Sequence, residues 1–169
     1  MDITQSYLKE IFDYREDGNL IWKKPIGKRS KHGEVAGHLK KSNGYICVGI
    51  KTKTYYAHRL VWFWHYGFLP NKDTDHINGI RTDNRVENLR EATRSQNNMN
   101  KAKLVTNKSG IHGVHFSKAA SKWTSQIKIN GKTIHLGLFE NINEAAEARK
   151  KAELEHYGKF SPLTRTQND

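Results

Sequence analysis

The chain has 169 residues, 36% of them hydrophobic, a single cysteine, and 29 Lys and Arg against 17 Asp and Glu, giving a net charge of +12 and a pI near 9.8. Such a length holds one ordinary domain or two small ones with thin cores, and one cysteine excludes an internal disulfide or a cysteine-held zinc. The cation excess points to a polyanionic partner, no apolar run approaches a membrane span, and the Met-Asp-Ile-Thr-Gln start lacks signal-peptide character, so a soluble, intracellular protein is expected.

Residues 4–14 carry Tyr7, Leu8, Ile11 and Phe12 at helical spacing, with Asp17-Gly18 as the closing turn. Leu20-Ile21-Trp22 reads as a short strand. Residues 23–41 form a basic, loop-like stretch with Gly27, Gly33 and Gly37, suited to lying along a phosphate backbone or simply to being solvated. Residues 45–50 and 54–57 predict a hairpin, with Cys47 as a small buried hydrophobe. A helix over 58–66 should bury Leu60, Val61, Phe63 and Trp64 and stop at Gly67. His58 on it suits packing or a structural hydrogen bond.

The stretch 73–100 has a different character: an Asp75-His76 pair, an Asn78-Gly79 turn and a dense set of amides. Adjacent residues of a strand face opposite sides, so Asp75 and His76 need different partners. Thr93-Arg94-Ser95-Gln96 fits a capping box that opens a helix and places Asn97 in its first turn. With a second short strand near 86–90, these segments predict a ββα unit. Asp75 and Asn97 could then share one oxygen-liganded cation, with His76 beside it as general base, and Mg²⁺ suits such a site because it keeps waters and shares phosphate oxygens. A calcium loop fits less well because Ile77 falls on a ligand position. For either residue alone, a plain hairpin turn and a surface histidine would suffice.

The set Ala57-His58-Arg59-Leu60-Val61, Asp75-His76-Ile77-Asn78-Gly79, Asn84-Arg85-Val86-Glu87-Asn88-Leu89-Arg90 and Ser95-Gln96-Asn97-Asn98 resembles the HNH endonucleases of phage and homing type. The resemblance implies Asp75 and Asn97 as ligands of Mg²⁺ or another divalent cation such as Mn²⁺, His76 as the base that activates water, and Asn88 as the residue that orients His76. Asn97 stands where the family often has His.

Residues 101–109 read as a basic linker, and a second unit follows. Three strands, at 113–116, 122–130 and 132–139, are joined by turns of which Asn130-Gly131 is the strongest signal, and Asn141 with Glu144 caps a helix that Gly158 closes. No acidic residue occurs from Ala92 to Phe139, while Arg94 and seven lysines do. Trp123, Ile127 and Ile129 share one face of the middle strand, leaving Thr124, Gln126 and Lys128 for the other. Gly113-Val114, Leu136-Gly137 and Phe139 before an Ala-rich helix resemble the AP2 DNA-binding domain. That resemblance puts His112, His115, Gln126, Lys128 and His135 at base- or phosphate-contacting positions.

The expected fold class is α+β: a ββα-metal nuclease unit with an N-terminal extension over 1–100, a linker over 101–109, an AP2-like sheet and helix over 110–160, and a tail over 161–169. The expected function is metal-dependent hydrolysis of double-stranded DNA, strand-nicking and of homing type, by a monomer with no protein partner, in the bacterial cytoplasm if phage-encoded. The competing expectation is a DNA-binding protein whose nuclease site is inert.

Overall fold

The computed structural model describes residues 3–27, 30–100 and 108–164. The chain divides into two compact units, residues 1–92 and 93–169.

In the first unit, helix α1 (Gln5–Ile11) opens on Thr4, whose hydroxyl accepts from the Tyr7 N–H at 3.2 Å. The apolar pattern runs on to Tyr14, but the backbone leaves the helix at Phe12. Strand β1 (Phe12–Tyr14) then pairs antiparallel with β2 (Leu20–Trp22). Aromatic residues suit a half-buried strand as well as a helix, so tertiary pairing decides this boundary. A second sheet contains β3 (His38–Lys40), β4 (Tyr45–Ile50) and β5 (Lys53–Tyr56), with β4 in the middle. Helix α2 (Ala57–Tyr66) follows and ends at Gly67, whose φ of 75° lets its N–H reach the Phe63 carbonyl. Its buried residues are Ala57, His58, Leu60, Val61 and Trp62; Phe63 and Trp64 are half-buried and pack against the edge of the core. Leu8, Ile11, Phe12, Leu20, Trp22, Val48, Ile50, Leu60, Val61 and Leu89 form one continuous core. At about 25 cal/mol per Å² of apolar area buried, this is the unit's main stabilising term.

Strand β6 (Asp73–His76) pairs antiparallel with β7 (Leu89–Ala92), in the register Asp75 to Arg90 and His76 to Leu89. The second strand starts later than the sequence pattern suggests. Residues Val86–Asn88 form a 3₁₀ turn because the Asn88 side chain is drawn into the loop before it.

In the second unit, helix α3 (Arg94–Met99) has the full capping box: the Thr93 hydroxyl accepts from the Gln96 N–H at 3.2 Å and the Gln96 amide accepts from the Thr93 N–H at 2.8 Å. Strands β8 (Val114–Ser117), β9 (Lys122–Ile129) and β10 (Lys132–Phe139) form an antiparallel sheet in the order β10-β9-β8. Asn141 caps helix α4 (Ile142–Tyr157), accepting from the Glu144 N–H at 3.0 Å. Ile127, Ala152 and Tyr157 make the core, with Met99, Ile129 and Leu136 against it. Trp123 is only half-buried and meets Phe116 edge-on at 5.4 Å. Residues 101–107 of the expected linker lie outside the described residues.

Candidate active site

The segment between β6 and β7 is held by its own amides. Asn78 turns the chain by accepting from the Ile80 N–H at 2.9 Å, and Gly79, at φ 75°, donates its N–H to the His76 carbonyl at 2.9 Å. Asn88 closes the loop from the far side: its oxygen accepts from the Asn78 N–H at 3.0 Å and its NH₂ donates to the Asn78 oxygen at 3.0 Å and to the Asp83 carbonyl at 2.8 Å. Arg85 forks onto Asp83 at 2.8 and 2.7 Å and holds that carboxyl below the usual carboxylate range. Gly18, at φ +87°, packs so closely that a Cβ there would lie 2.3 Å from the Arg85 nitrogen, so only glycine lets the β1-β2 turn brace this loop.

The loop delivers Asn84 to His76. His76 is 3% exposed, and its Nε2 lies 3.0 Å from the Asn84 side-chain oxygen. An amide oxygen only accepts, so Nε2 carries the proton and the basic lone pair belongs to Nδ1. Burial is the main cause holding the imidazole below its ordinary range, against opposing contributions from Asn84, Asp75 and Asp83, so the ring is neutral at neutral pH. The side-chain contact to His76 comes from Asn84, and Asn88, expected to orient His76, fixes the loop that carries Asn84. Two asparagines of one short segment have equal claims on paper; only the loop's closure separates them.

Asp75 faces the other way and is 6% exposed. Arg90, its cross-strand neighbour, donates Nε–H to Oδ2 at 2.9 Å and places Nη2 2.8 Å from the same oxygen. This ion pair is largely shielded from solvent. Asn97 is half-buried in the first turn of α3, so Asp75 and Asn97 stand in different units. No group of three or more His, Cys, Asp and Glu side chains placed to hold a metal occurs among the described residues. A carboxylate and an amide are nonetheless both hard oxygen donors, which is the chemistry Mg²⁺ takes while retaining water.

His58 packs edge-on to His76 at 5.1 Å, with Tyr56 stacked on it at 5.6 Å and Tyr45 at 5.1 Å. Its Nδ1 is buried with no hydrogen-bond partner among the described residues. Burial first, then the neighbouring His76 and Arg59, push its pKa down to about 3. The sign of the consequence is definite. Unfolded chains bind a proton at this histidine below about 6.5, whereas the fold resists it until about 3, so stability is full above 6.5 and falls with pH below it. Between pH 6.5 and 5 the loss from this group is about 2 kcal/mol. Urea midpoints over that range should therefore slope in the wild type and slope less steeply in His58→Phe. Parallel slopes in the two proteins would exclude His58 as the source.

In the second unit, register puts His115 opposite Thr124 and His135 opposite Gln126, so His115, Gln126, Lys128 and His135 share the sheet face to which Thr124 belongs. His115, Lys128 and His135 are exposed and Gln126 is half-buried. His112 lies before the strand instead, and its Nδ1 accepts from the buried Arg149 guanidinium at 3.1 Å, which also pairs with Glu153 at 2.7 Å. No helix among the described residues is long and apolar enough to cross a membrane.

Residues 55–99 match the family model described as HNH endonuclease. Neither the curated proteins nor the solved structures contain a match to the chain.

Proposed function

We propose that this protein is a divalent-cation-dependent DNA endonuclease of the homing type, which nicks one strand of double-stranded DNA as a monomer. The observation that carries the reading is the neutral, buried His76, with its Nε2–H fixed by Asn84, inside the segment that matches HNH endonucleases. Nδ1 of His76 takes the proton from the attacking water as general base. Asn84 fixes its tautomer, and Asn88 holds the loop. Asp75, oriented by Arg90, would supply an oxygen to a Mg²⁺ or Mn²⁺ ion, and Asn97 is the second oxygen donor that the family resemblance implies. When bound, such an ion stabilises charge on the phosphate and its leaving oxygen. The second unit's sheet, AP2-like in our reading, holds DNA through His115, Gln126, Lys128 and His135 on an acid-free stretch of chain, with His112 braced against Arg149 beside it.

The ion pair between Asp75 and Arg90 favours one competing reading, a DNA-binding protein whose nuclease site is inert because the carboxylate is already engaged. Supercoiled plasmid with Mg²⁺, against the same mixture with EDTA, decides between them. On our reading, open circles accumulate first and linear DNA later, because a site with one base serves one scissile phosphate at a time, and the protein has a monomeric mass in solution. Concerted linearisation by a dimer would overturn the nicking assignment, and intact plasmid with Mg²⁺ would overturn the enzyme.

A further inference from the structure

The outer face of the β3-β4-β5 sheet is continuous with the candidate active site. Strand β4 alternates: Val48 and Ile50 enter the core, and Tyr45, Cys47 and Gly49 belong to the opposite face, on which Gly49 is exposed, Tyr45 half-buried and Cys47 buried. Register adds Lys40 beside Tyr45, His38 and Tyr56 on either side of Cys47, and Thr54 beside Gly49. At one end of this face Tyr45 lies 5.9 Å from the His76 ring, with the Arg81 guanidinium over it at 5.1 Å. At the other end Gly49 lines an open groove of about 650 Å³, with Trp22, Ile26 and Val35 as its apolar wall and His38, Lys51 and Thr54 as its polar one.

Gly49 has no structural reason to be glycine. Its φ lies outside the left-handed region and nothing approaches within 4 Å of where a Cβ would be. Gly37, by contrast, has φ +104° and a Cβ there would fall 2.7 Å from the Cys47 carbonyl, so that residue is fixed by the fold. A glycine inside a strand weakens it, and close approach by another molecule is one physical role for a strand glycine that neither conformation nor packing requires. The groove's chemistry indicates which molecule. No acidic side chain is among the described residues lining it. Residues 23–41 carry seven Lys and Arg against the single acid Glu34. Lys23, Lys24 and Lys31 are engaged with Asp13, Glu10 and Glu34, Lys51 places its ammonium over the Tyr7 ring at 5.0 Å, and Lys40 stands outside those pairs.

We propose that this face is a seat for the sugar-phosphate backbone of the substrate duplex, with Gly49 as its bare floor and Lys51, His38 and Thr54 as its phosphate donors. The proposal rests on the nuclease reading for the identity of the duplex. From Tyr45 to Gly49 is four strand residues, ~13 Å, or about four base steps of B-form DNA. The seat therefore holds the duplex at a short fixed distance from the phosphate attacked by the water that His76 deprotonates.

The test is Gly49→Val, measured with a fluorescein-labelled DNA duplex in EDTA, where nothing is cut. Valine suits an exposed strand position, so the variant should melt at or above the wild-type temperature. Its Kd should nevertheless rise roughly tenfold. Wild-type affinity in Gly49→Val overturns the seat. Should valine lower the melting temperature, Thr54→Glu, on the exposed neighbouring strand, must weaken binding for the seat to stand. If the wild type binds DNA but does not cut it, the nuclease reading fails while the affinity comparison still decides the seat. Tighter binding of an RNA duplex than of DNA would overturn the DNA assignment.

Discussion

Replacing His76 with alanine should slow DNA cleavage about 10²- to 10⁴-fold, the usual contribution of a positioned general base, while leaving DNA affinity close to wild type. Alanine removes Nδ1, which carries the ring's basic lone pair, but no phosphate-binding donor. The environment of the ring determines the size of the effect. Burial keeps it neutral and the Asn84 oxygen keeps the proton on Nε2, so at neutral pH nearly every molecule has the base in its accepting form. Asn84→Leu should cost less, because the base remains and only its tautomer and rotamer are released. Asn88→Ala should act through stability, since it deletes three hydrogen bonds that close the loop. The measurement is a single-turnover rate at saturating protein. A His76→Ala rate within threefold of wild type would assign proton removal to another group.

This order of effects, Asn84 before Asn88, was not legible in the sequence, and the reason is physical. Asp75, His76 and Asn97 stand out because an acid-imidazole pair followed by a capped helix is a local pattern, readable from spacing alone. The capping box at Thr93 and Gln96 is local in the same sense, as is the Asn141 cap of α4. Asn84 reaches His76 only after the loop has closed around Asn78, Asp83 and Asn88. That closure depends on Arg85 and on a glycine, Gly18, far away in the chain. The Asp75 to Arg90 pair is similar: both residues were visible, but the strand register that sets them opposite one another was not. The strand at Phe12–Tyr14 and the half-burial of Trp123 also reflect partners rather than composition. Gly49 shows the converse, a residue whose meaning appears only when the space above it is seen to be empty.

Asp75→Ala should abolish cation-dependent cleavage and, separately, destabilise the fold, and the two losses can be separated. The carboxylate is buried against Arg90, and breaking a buried pair by removing one partner typically costs about 3–5 kcal/mol, because the other charge is left uncompensated. A loss of activity in Asp75→Ala alone is therefore ambiguous, since an unfolded protein also cuts poorly. The double variant Asp75→Leu/Arg90→Met removes both charges and replaces them with apolar groups of similar size. Such replacements of a buried ion pair are often neutral or stabilising, so the urea midpoint should return to near the wild-type value. If Asp75 supplies an oxygen to the cation, cleavage stays absent in this restored fold at every Mg²⁺ or Mn²⁺ concentration, while Arg90→Gln alone retains part of it. Asn97→Ala, which breaks no ion pair, should lose cleavage with little change in stability. Cleavage that returns together with stability in the double variant would make Asp75 a structural residue and remove it from the cation site.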